Sequence, residues 1–272
     1  MKKIIITIVI LVLAGIATWF YIQKNLSSRN TGEADTVVDF EEVSVVRTNG
    51  DKPWPIEVPI NIDVKYPKIT LSDTRATERI NKDIKNTLEE IKEELGDWDA
   101  LEIGTPVDQD MIETYGQGGP VGESRDVSYK IYDVYHGVFS VEFRASSYSL
   151  GATHPNGYTI TRTYDISTGE RMLLNKFIQT DKVAYNKLAT LIRNELYNNH
   201  KEQLGDNFDK SWVEEGTDPK KPENFENFLI KKDGLMFIFD QYQIAPYVAG
   251  GFEVVISYDK LREVREPSSP IL

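Results

Sequence analysis

A histidine in a glycine-containing loop is the residue of this sequence best placed to do chemistry. His154 lies in the segment 149–157, SLGATHPNG, where Pro155 stiffens the turn and the glycines allow unusual backbone angles. An imidazole in such a loop can serve as a general acid or base, or can bind a metal ion. Two carboxylates further along the chain, Asp165 and Glu170, could approach it in space. The alternative is a structural histidine whose ring nitrogens bond backbone carbonyls and hold the turn.

A second candidate is the segment 242–251, YQIAPYVAGG, which combines two tyrosines with proline and small residues. Tyr242 and Tyr247 can pack against each other in a tight corner, or they can stack on a bound ligand. With His154 they form the set of candidate binding residues. Glycine and proline are predicted to form the structural turns at six positions: Gly151, Pro155, Gly169, Pro246, Gly250 and Gly251.

Motifs that would define a hydrolase or a metal enzyme do not occur in the sequence. It contains no H-E-x-x-H, no G-x-S-x-G, no Walker loop and no EF-hand. The chain has no cysteine, which excludes disulfides, thiolate zinc sites and cysteine nucleophiles. We therefore expect no catalytic activity, no cofactor and no metal ion.

The composition is that of an acidic protein with a packed core. Among 272 residues, 31 are Lys or Arg and 43 are Asp or Glu, which gives a formal net charge of −12. Contacts to phosphate need a basic surface, so the charge argues against nucleic-acid binding. The hydrophobic fraction of 40% is enough to form a folded domain.

The N-terminus predicts attachment to a membrane. Residues 4–22 are uncharged, follow a tail of residues 1–3 with two lysines, and end in three aromatic residues. A helix of this length nearly spans the roughly 30 Å hydrocarbon core of a bilayer. We expect an uncleaved signal-anchor that contacts the lipid bilayer, crosses the bacterial cytoplasmic membrane once and leaves the N-terminus inside. A signal peptide cleaved near residues 15–17 is the alternative.

The rest of the chain alternates between strand and helix patterns. Residues 23–40 form a polar tether, and apolar residues alternate over Ile56–Tyr66, so this strand should be an edge strand or begin after Pro59. One helix should begin after Ser72 or Asp73 and end at Gly96. A second should run from near Asp181 to Gly205. The apolar stripe of the first helix comprises Ile80, Ile84, Leu88, Ile91 and Leu95.

Further strand patterns lie between and after the two helices. They cover residues 127–134, 138–145, 158–164, 235–239 and 253–258, with turns at 136–137 and 168–169. The order lacks regular βαβ alternation and predicts an α+β fold, with a mostly antiparallel sheet and two main amphipathic helices. We expect two halves of similar layout, 41–148 and 149–266, followed by a tail, 267–272.

Several segments resemble a bacterial extracytoplasmic domain family of unknown function, which forms the exported part of the anti-sigma factor RsiV and the N-terminal part of the peptidoglycan deacetylase PdaC. The resemblance extends over residues 43–262. Its motifs are 151–155 (GATHP), 164–169 (YDISTG) with Leu173, Leu174 and Phe177, 237–247 (FIFDQYQIAPY), Gly250, Gly251 and 254–258 (VVISY). It implies a binding domain at the cell envelope, whose candidate partners are lysozyme-like muramidases or peptidoglycan.

Two differences from these relatives limit what the resemblance implies. Three residues before the apolar segment lead us to expect no anti-sigma segment, and a chain that ends at Leu272 leads us to expect no deacetylase domain. The resulting hypothesis is a membrane-anchored extracytoplasmic binding module that recognises peptidoglycan or a lysozyme-like cationic protein, which the acidic charge would attract. The alternative is a wall-sugar hydrolase that uses His154 with nearby carboxylates.

Overall fold

The computed structural model of the chain describes residues 38–48, 60–96, 110, 114, 122–132, 134–149, 151–205 and 209–271. The predicted membrane segment 4–22, the tail 1–3 and the tether as far as residue 37 lie outside the described residues. Within the part that is described, no helix is both long enough and apolar enough to cross a bilayer. The described residues form an α+β structure of two sheets, each of which packs against one long helix.

The larger sheet has five strands in the order β1-β2-β3-β4-β5. Their bounds are Asp39–Thr48 (β1), Ile60–Thr70 (β2), Glu123–Ile131 (β3), Val138–Tyr148 (β4) and Asn156–Asp165 (β5). Neighbouring strands are antiparallel except for β2 and β3, which run parallel. The sequence predicted either an edge strand or a strand that begins after Pro59. The structure shows the second alternative, because β2 begins at Ile60 and lies inside the sheet, between β1 and β3. Pro67 has no backbone N–H to donate to a neighbouring strand. It is tolerated in β2 because the pairing with β3 ends at Val64, so no hydrogen bond to β3 is lost at Pro67.

Helix α1 (Thr74–Leu95) covers one face of this sheet and confirms the first predicted helix. The side chain of Asp73 accepts a hydrogen bond from the backbone N–H of Ala76 at 2.8 Å, which caps the first turn. Gly96, with φ of +85°, ends the helix. Every residue of the predicted apolar stripe is buried. The spacing of the apolar residues, about one every 3.6 residues, therefore predicted both the position of the helix and the face that packs on the sheet.

We expect Asp73→Ala to lower the free energy of unfolding by about 1 kcal/mol, because the helix loses its N-terminal acceptor. Urea denaturation monitored by circular dichroism measures the change. Asp73→Asn keeps an acceptor of similar capping strength and should stay within about 0.5 kcal/mol of the natural protein. Equal losses in the two variants would contradict the capping role.

The smaller sheet is antiparallel, in the order β6-β7-β8, with strands Phe228–Ile230 (β6), Gly234–Phe239 (β7) and Phe252–Ser257 (β8). Helix α2 (Lys182–Asn199) packs on it and is capped by Asp181. The second helix was predicted to continue to Gly205, but it is interrupted at His200. The short helix α3 (Lys201–Leu204) follows, and Gly205 ends it. Short elements among the described residues also include α4 (Lys210–Gly216), α5 (Tyr258–Leu261) and 3-10 turns at Leu174–Lys176, Pro222–Phe225 and Tyr247–Ala249.

The two sheets meet where β6 packs against β4 and β5, and hydroxyl side chains bridge this seam. Ser140 Oγ accepts a hydrogen bond from the backbone N–H of Ile230 at 3.1 Å. Thr161 Oγ1 accepts one from the N–H of Phe228 at 2.9 Å. The predicted boundary between the halves falls in the loop between β4 and β5, and β5 pairs with β4 in the larger sheet. The division into two halves stays a prediction.

Candidate functional site

His154 lies in the loop between β4 and β5, close to the seam. Gly151 has φ of +86°, a conformation that glycine adopts without strain and that turns the chain towards His154. The Nδ1 atom of His154 lies 3.0 Å from the carbonyl oxygen of Pro155. A carbonyl can only accept, so Nδ1 carries a proton and donates a hydrogen bond to Pro155. The structural interpretation expected such a bond from both ring nitrogens, and it forms at Nδ1.

Tyr242 and Tyr247 lie in the loop between β7 and β8. Tyr242 has φ of +67°, which places a non-glycine residue in the left-handed region at a tight turn. Pro246 precedes the 3-10 turn that begins at Tyr247, and Gly250 ends this turn with φ of +74°. The predicted corner therefore forms, and its two aromatic rings project on the side that meets His154.

We name His154, Tyr242 and Tyr247 the aromatic cluster, because the structure brings the three candidate binding residues together. The rings of His154 and Tyr247 stack, with centroids 3.8 Å apart and an interplanar angle of 20°. His154 Nε2 lies 3.1 Å from the hydroxyl of Tyr242. When Nδ1 carries the only ring proton, Nε2 accepts a hydrogen bond from the Tyr242 hydroxyl. The three rings thus form one fixed surface.

This surface is open to solvent. The side chain of Tyr242 is 53% exposed, and that of Val248, in the same loop, is 93% exposed. Large apolar side chains packed by their neighbours and still exposed on one side are typical of recognition surfaces. The aromatic cluster therefore has the geometry for stacking on a ligand.

The carboxylates considered as partners of His154 lie elsewhere. Asp165 ends β5, whereas His154 precedes the same ten-residue strand, so the two are on the order of 30 Å apart. Asp165 accepts hydrogen bonds from Ser167 and Thr168 and closes a turn. Glu170 forms an ion pair of 3.6 Å with Arg79 on α1. The structure brings neither carboxylate to His154.

The remaining predicted turn glycines hold close contacts between segments. Gly169 has φ of +70°, and a Cβ atom at this position would lie 2.4 Å from the carbonyl oxygen of Ala76 in α1. At Gly251 a Cβ would meet the carbonyl oxygen of Phe239 at 3.1 Å, where β7 and β8 lie side by side. At Gly169 the backbone of α1 leaves no room for a side chain, whereas at Gly251 a Cβ atom would fit only if the backbone shifted by a few tenths of an ångström.

A cleft of about 310 Å³ opens at the seam beside the aromatic cluster. Asp240 and Gln241 line it directly before Tyr242 in the chain, and Gly157 lines it three residues after His154. The other lining residues are Arg144, Ala145, Ser146, Tyr158, Thr159, Ile238, Phe239, Gly251, Phe252 and Glu253. The volume is at the lower end of the range for ligand sites, which is about 300–1,000 Å³.

Charged side chains of the cleft form a connected network. The guanidinium of Arg144 pairs with the fully buried carboxylate of Glu142 and, at 2.7 Å, with Glu253. Tyr132 donates its hydroxyl to the other oxygen of Glu142 at 2.6 Å. The hydrogen bond to Glu142 raises the pKa of Arg144 and keeps it charged. Asp240 accepts the backbone N–H of Thr159 at 3.0 Å, and burial raises the pKa of this carboxyl group above its ordinary value.

Sequence reasoning missed the cleft residues and found the aromatic ones. Asp240, Arg144 and Glu253 come from three different strands or strand ends, and no spacing in the chain links them. For these cleft residues, the one feature of the sequence that pointed to a site was that Asp240 lies two residues before the candidate binding residue Tyr242. Within the described part of the chain, no group of three His, Cys, Asp or Glu residues is arranged to hold a metal ion.

Comparison with known sequences confirms the family resemblance. Residues 176–259 match the family described as "Protein of unknown function (DUF3298)". Over 141 residues the chain is 30% identical to the peptidoglycan-N-acetylmuramic acid deacetylase PdaC of Bacillus subtilis (strain 168). The match covers 51% of this chain and 28% of that protein, so the chain spans less than a third of its length.

Two solved structures of DUF3298 proteins have a similar fold. A DUF3298 member from Bacteroides fragilis superposes with a TM-score of 0.58 at 19% identity, covering 89% of this chain and 97% of that one. A DUF3298 protein from Pseudomonas aeruginosa PAO1 gives a TM-score of 0.54 at 14% identity, covering 84% and 95% of the two chains. At these identities the likeness establishes the fold alone.

Proposed function

We propose that this protein is an extracytoplasmic binding module of the bacterial cell envelope that recognises the glycan of peptidoglycan. Residues 4–22 would hold it at the cytoplasmic membrane, as their apolar length and flanking lysines suggest. The observation that carries the proposal is the half-exposed aromatic cluster at the edge of a cleft that Arg144, Asp240 and Glu253 line. The relative PdaC acts on peptidoglycan according to its name, which supports the same class of ligand.

The chemistry of a sugar ring matches this arrangement. A pyranose ring presents C–H groups on its faces and hydroxyl or amide groups at its edge. The exposed ring of Tyr242 can cover a C–H face, while polar groups of the cleft can bond the edge. The Tyr242 hydroxyl, which bonds His154 Nε2 at 3.1 Å, keeps at least one oxygen lone pair for a donor on the ligand.

A binding role fits the site better than the hydrolase alternative. Hydrolysis of a glycosidic bond requires an acid and a base or nucleophile on the two sides of the scissile bond. His154 has both ring nitrogens engaged, by Pro155 and by Tyr242, and the two carboxylates suggested as its partners lie far from it. The proposal therefore assigns recognition to the aromatic cluster and no bond-breaking step.

The experiment is sedimentation of the full-length chain, in mild detergent, with insoluble peptidoglycan. We expect Tyr242→Ala and Tyr247→Ala each to weaken binding roughly tenfold, since each removes one aromatic face worth about 1–1.5 kcal/mol. Leu173→Ala combined with Val183→Ala is a matched control, because it also truncates two exposed apolar side chains. Unchanged binding by the tyrosine variants, or an equal loss in the control, would contradict the proposal.

A basic muramidase is a second candidate partner, which the formal net charge of −12 favours. The same protein can be titrated with hen egg-white lysozyme at low and at physiological salt. Binding that survives physiological salt would support this partner, whereas binding that salt removes reports only attraction between opposite charges. The tyrosine variants separate the two candidates, because long-range attraction does not require the aromatic cluster.

A further inference from the structure

The outer edge of β5, on the side away from β4, is closed by side chains of the smaller sheet. The backbone N–H of Thr159 donates to the carboxylate of Asp240 at 3.0 Å, and its carbonyl oxygen accepts the side-chain amide of Asn227 at 2.7 Å. Asn227 also accepts the backbone N–H of Thr161 at 3.1 Å. These side chains take the place of a neighbouring strand, because the donors and acceptors of a strand edge need partners.

At Gly157 the same edge has no such closure. In an antiparallel strand the N–H and C=O of every second residue point to the same side, so the outward set that contains Thr159 and Thr161 also contains Gly157. Gly157 lines the cleft together with Asp240, which closes the edge at Thr159. Among the described residues, none bonds the outward N–H or carbonyl oxygen of Gly157. Strand β5 therefore presents one donor and one acceptor, both from a single residue, to the cleft.

The fold itself does not require a glycine at position 157. Its φ does not lie in the left-handed region. A Cβ atom there would lie 3.5 Å from the carbonyl oxygen of Ala145 and 3.7 Å from the Cβ atom of Ser146, which are ordinary contacts within β4 and β5. Glycine weakens a strand, and inside one it often marks the close approach of a ligand or of another backbone. No described segment other than β4 comes within 4 Å of this position, which leaves the approach to a ligand.

The neighbours of Gly157 on this edge limit the length of what can pair with it. On one side, Asp240 and Asn227 occupy the edge at Thr159. On the other side, Pro155 has no N–H, and its carbonyl oxygen accepts the hydrogen bond of His154. A long strand of another protein would find both flanking positions occupied. The edge therefore suits a short peptide that pairs through one residue.

We propose that Gly157 is a peptide subsite, in which one residue of an extended peptide pairs with its N–H and its carbonyl oxygen. A residue of an extended chain presents its own N–H and C=O on one side, so it matches the acceptor and the donor of Gly157. The inference rests on the proposed function: the muramic acid of peptidoglycan carries a short peptide, and Gly157 lies three residues after His154 of the aromatic cluster. The sugar would stack on the cluster while the first residue of its peptide bonds Gly157.

The test measures dissociation constants of the full-length chain, in mild detergent, by calorimetry with three soluble probes. These are the disaccharide of N-acetylglucosamine and N-acetylmuramic acid, the same disaccharide with its stem tripeptide, and that tripeptide probe with an N-methyl group on its first residue. We expect the tripeptide to tighten binding about tenfold, as two neutral hydrogen bonds would provide. The N-methyl group removes the donor to the Gly157 carbonyl oxygen and should remove most of this gain.

Gly157→Val is the diagnostic variant, because valine is favourable in a strand and its side chain would fill the approach to the backbone. It should bind the tripeptide probe no better than the disaccharide, with an unchanged midpoint of urea denaturation. Thr70→Val places a valine on an exposed position of β2 and is the control that should keep the gain. If Gly157→Val unfolds, Gly157→Ala narrows the same approach by one methyl group.

Three results would each overturn the inference. They are equal affinity for the disaccharide with and without its peptide, an N-methyl probe that binds as tightly as its parent, and a gain that survives Gly157→Val. The first two use the natural protein, so they decide the question whatever the stability of the variants.

The two proposals can fail separately. If glycan stripped of its peptides binds through Tyr242 and Tyr247 and the tripeptide adds nothing, the glycan site stands and the peptide subsite is wrong. If the tyrosine variants bind insoluble peptidoglycan as well as the natural protein does, the proposed function itself is wrong, whatever the effect of Gly157→Val.

Discussion

Gly169→Ala is expected to lower the free energy of unfolding by about 3–5 kcal/mol, the largest effect of any single substitution considered for this chain. A Cβ atom at this position would lie 2.4 Å from the carbonyl oxygen and 2.6 Å from the Cα atom of Ala76. Both are backbone atoms in the first turn of α1, so no side-chain rotation relieves the overlap. The backbone also has φ of +70°, which costs a residue with Cβ about 1–2 kcal/mol by itself.

Gly137→Ala separates the two causes, because it is matched in φ at +72° and a Cβ there would meet nothing within 4 Å. We expect this control to cost only about 1 kcal/mol. Urea denaturation measures the free energy of unfolding of both variants. The difference between their losses is the cost of the overlap with the backbone of Ala76. Equal losses would show that the turn after β5 does not dock tightly on α1.

Glu90→Gln is expected to destabilise the fold by about 2 kcal/mol, because it leaves a buried guanidinium without its carboxylate. Arg162 projects from β5 towards α1 with a side chain that is 6% exposed, and it pairs there with Glu90. Its Nε donates to Thr87 Oγ1 at 2.9 Å and its Nη1 donates to the Thr161 carbonyl oxygen at 3.0 Å. Burial lowers the pKa of Arg162, and nearby Arg171 adds to this effect.

Solvent weakens the ion pair between Glu90 and Arg162, since the side chain of Glu90 is 53% exposed, and this keeps the expected loss near about 2 kcal/mol. Arg162→Met should cost less than Glu90→Gln, because it removes the buried charge and returns Glu90 to water. The double variant should therefore be more stable than Glu90→Gln alone. Glu89→Gln, one residue earlier on the exposed surface, is the control. A double variant less stable than Glu90→Gln alone would contradict this account.

The long helices were predictable from the sequence because short-range rules determine them. Asp73 and Asp181 cap α1 and α2 as their positions before the apolar stripes indicated. The hairpin turn at His136 and Gly137 also follows from local chemistry, since both residues adopt positive φ. These features depend on residues within four or five positions of one another, so a single sequence contains the information.

The seam between the sheets was not predictable, because its contacts join residues far apart in the chain. Strand β6 has three residues, too few for an alternating pattern to be recognised. Its backbone bonds to Ser140 and Thr161 join positions 90 and 67 residues apart. The cleft also forms at this seam, so no sequence pattern linked its charged residues. The aromatic residues could be recognised because they lie in segments rich in glycine and proline.

The parallel pairing of β2 with β3, unique among the strands that the structure describes, bears on the order in which the fold assembles. Strands β3, β4 and β5 follow one another through short connections, so their pairing costs little chain entropy. Strand β2 pairs with β3 between residues about 63 positions apart, such as Ile60 and Glu123, so the intervening chain, α1 included, must be closed into a loop. Contacts at such separation form late and slowly. A chain that had paired β3, β4 and β5 before α1 docked would expose the apolar side of these strands, which α1 covers in the folded protein.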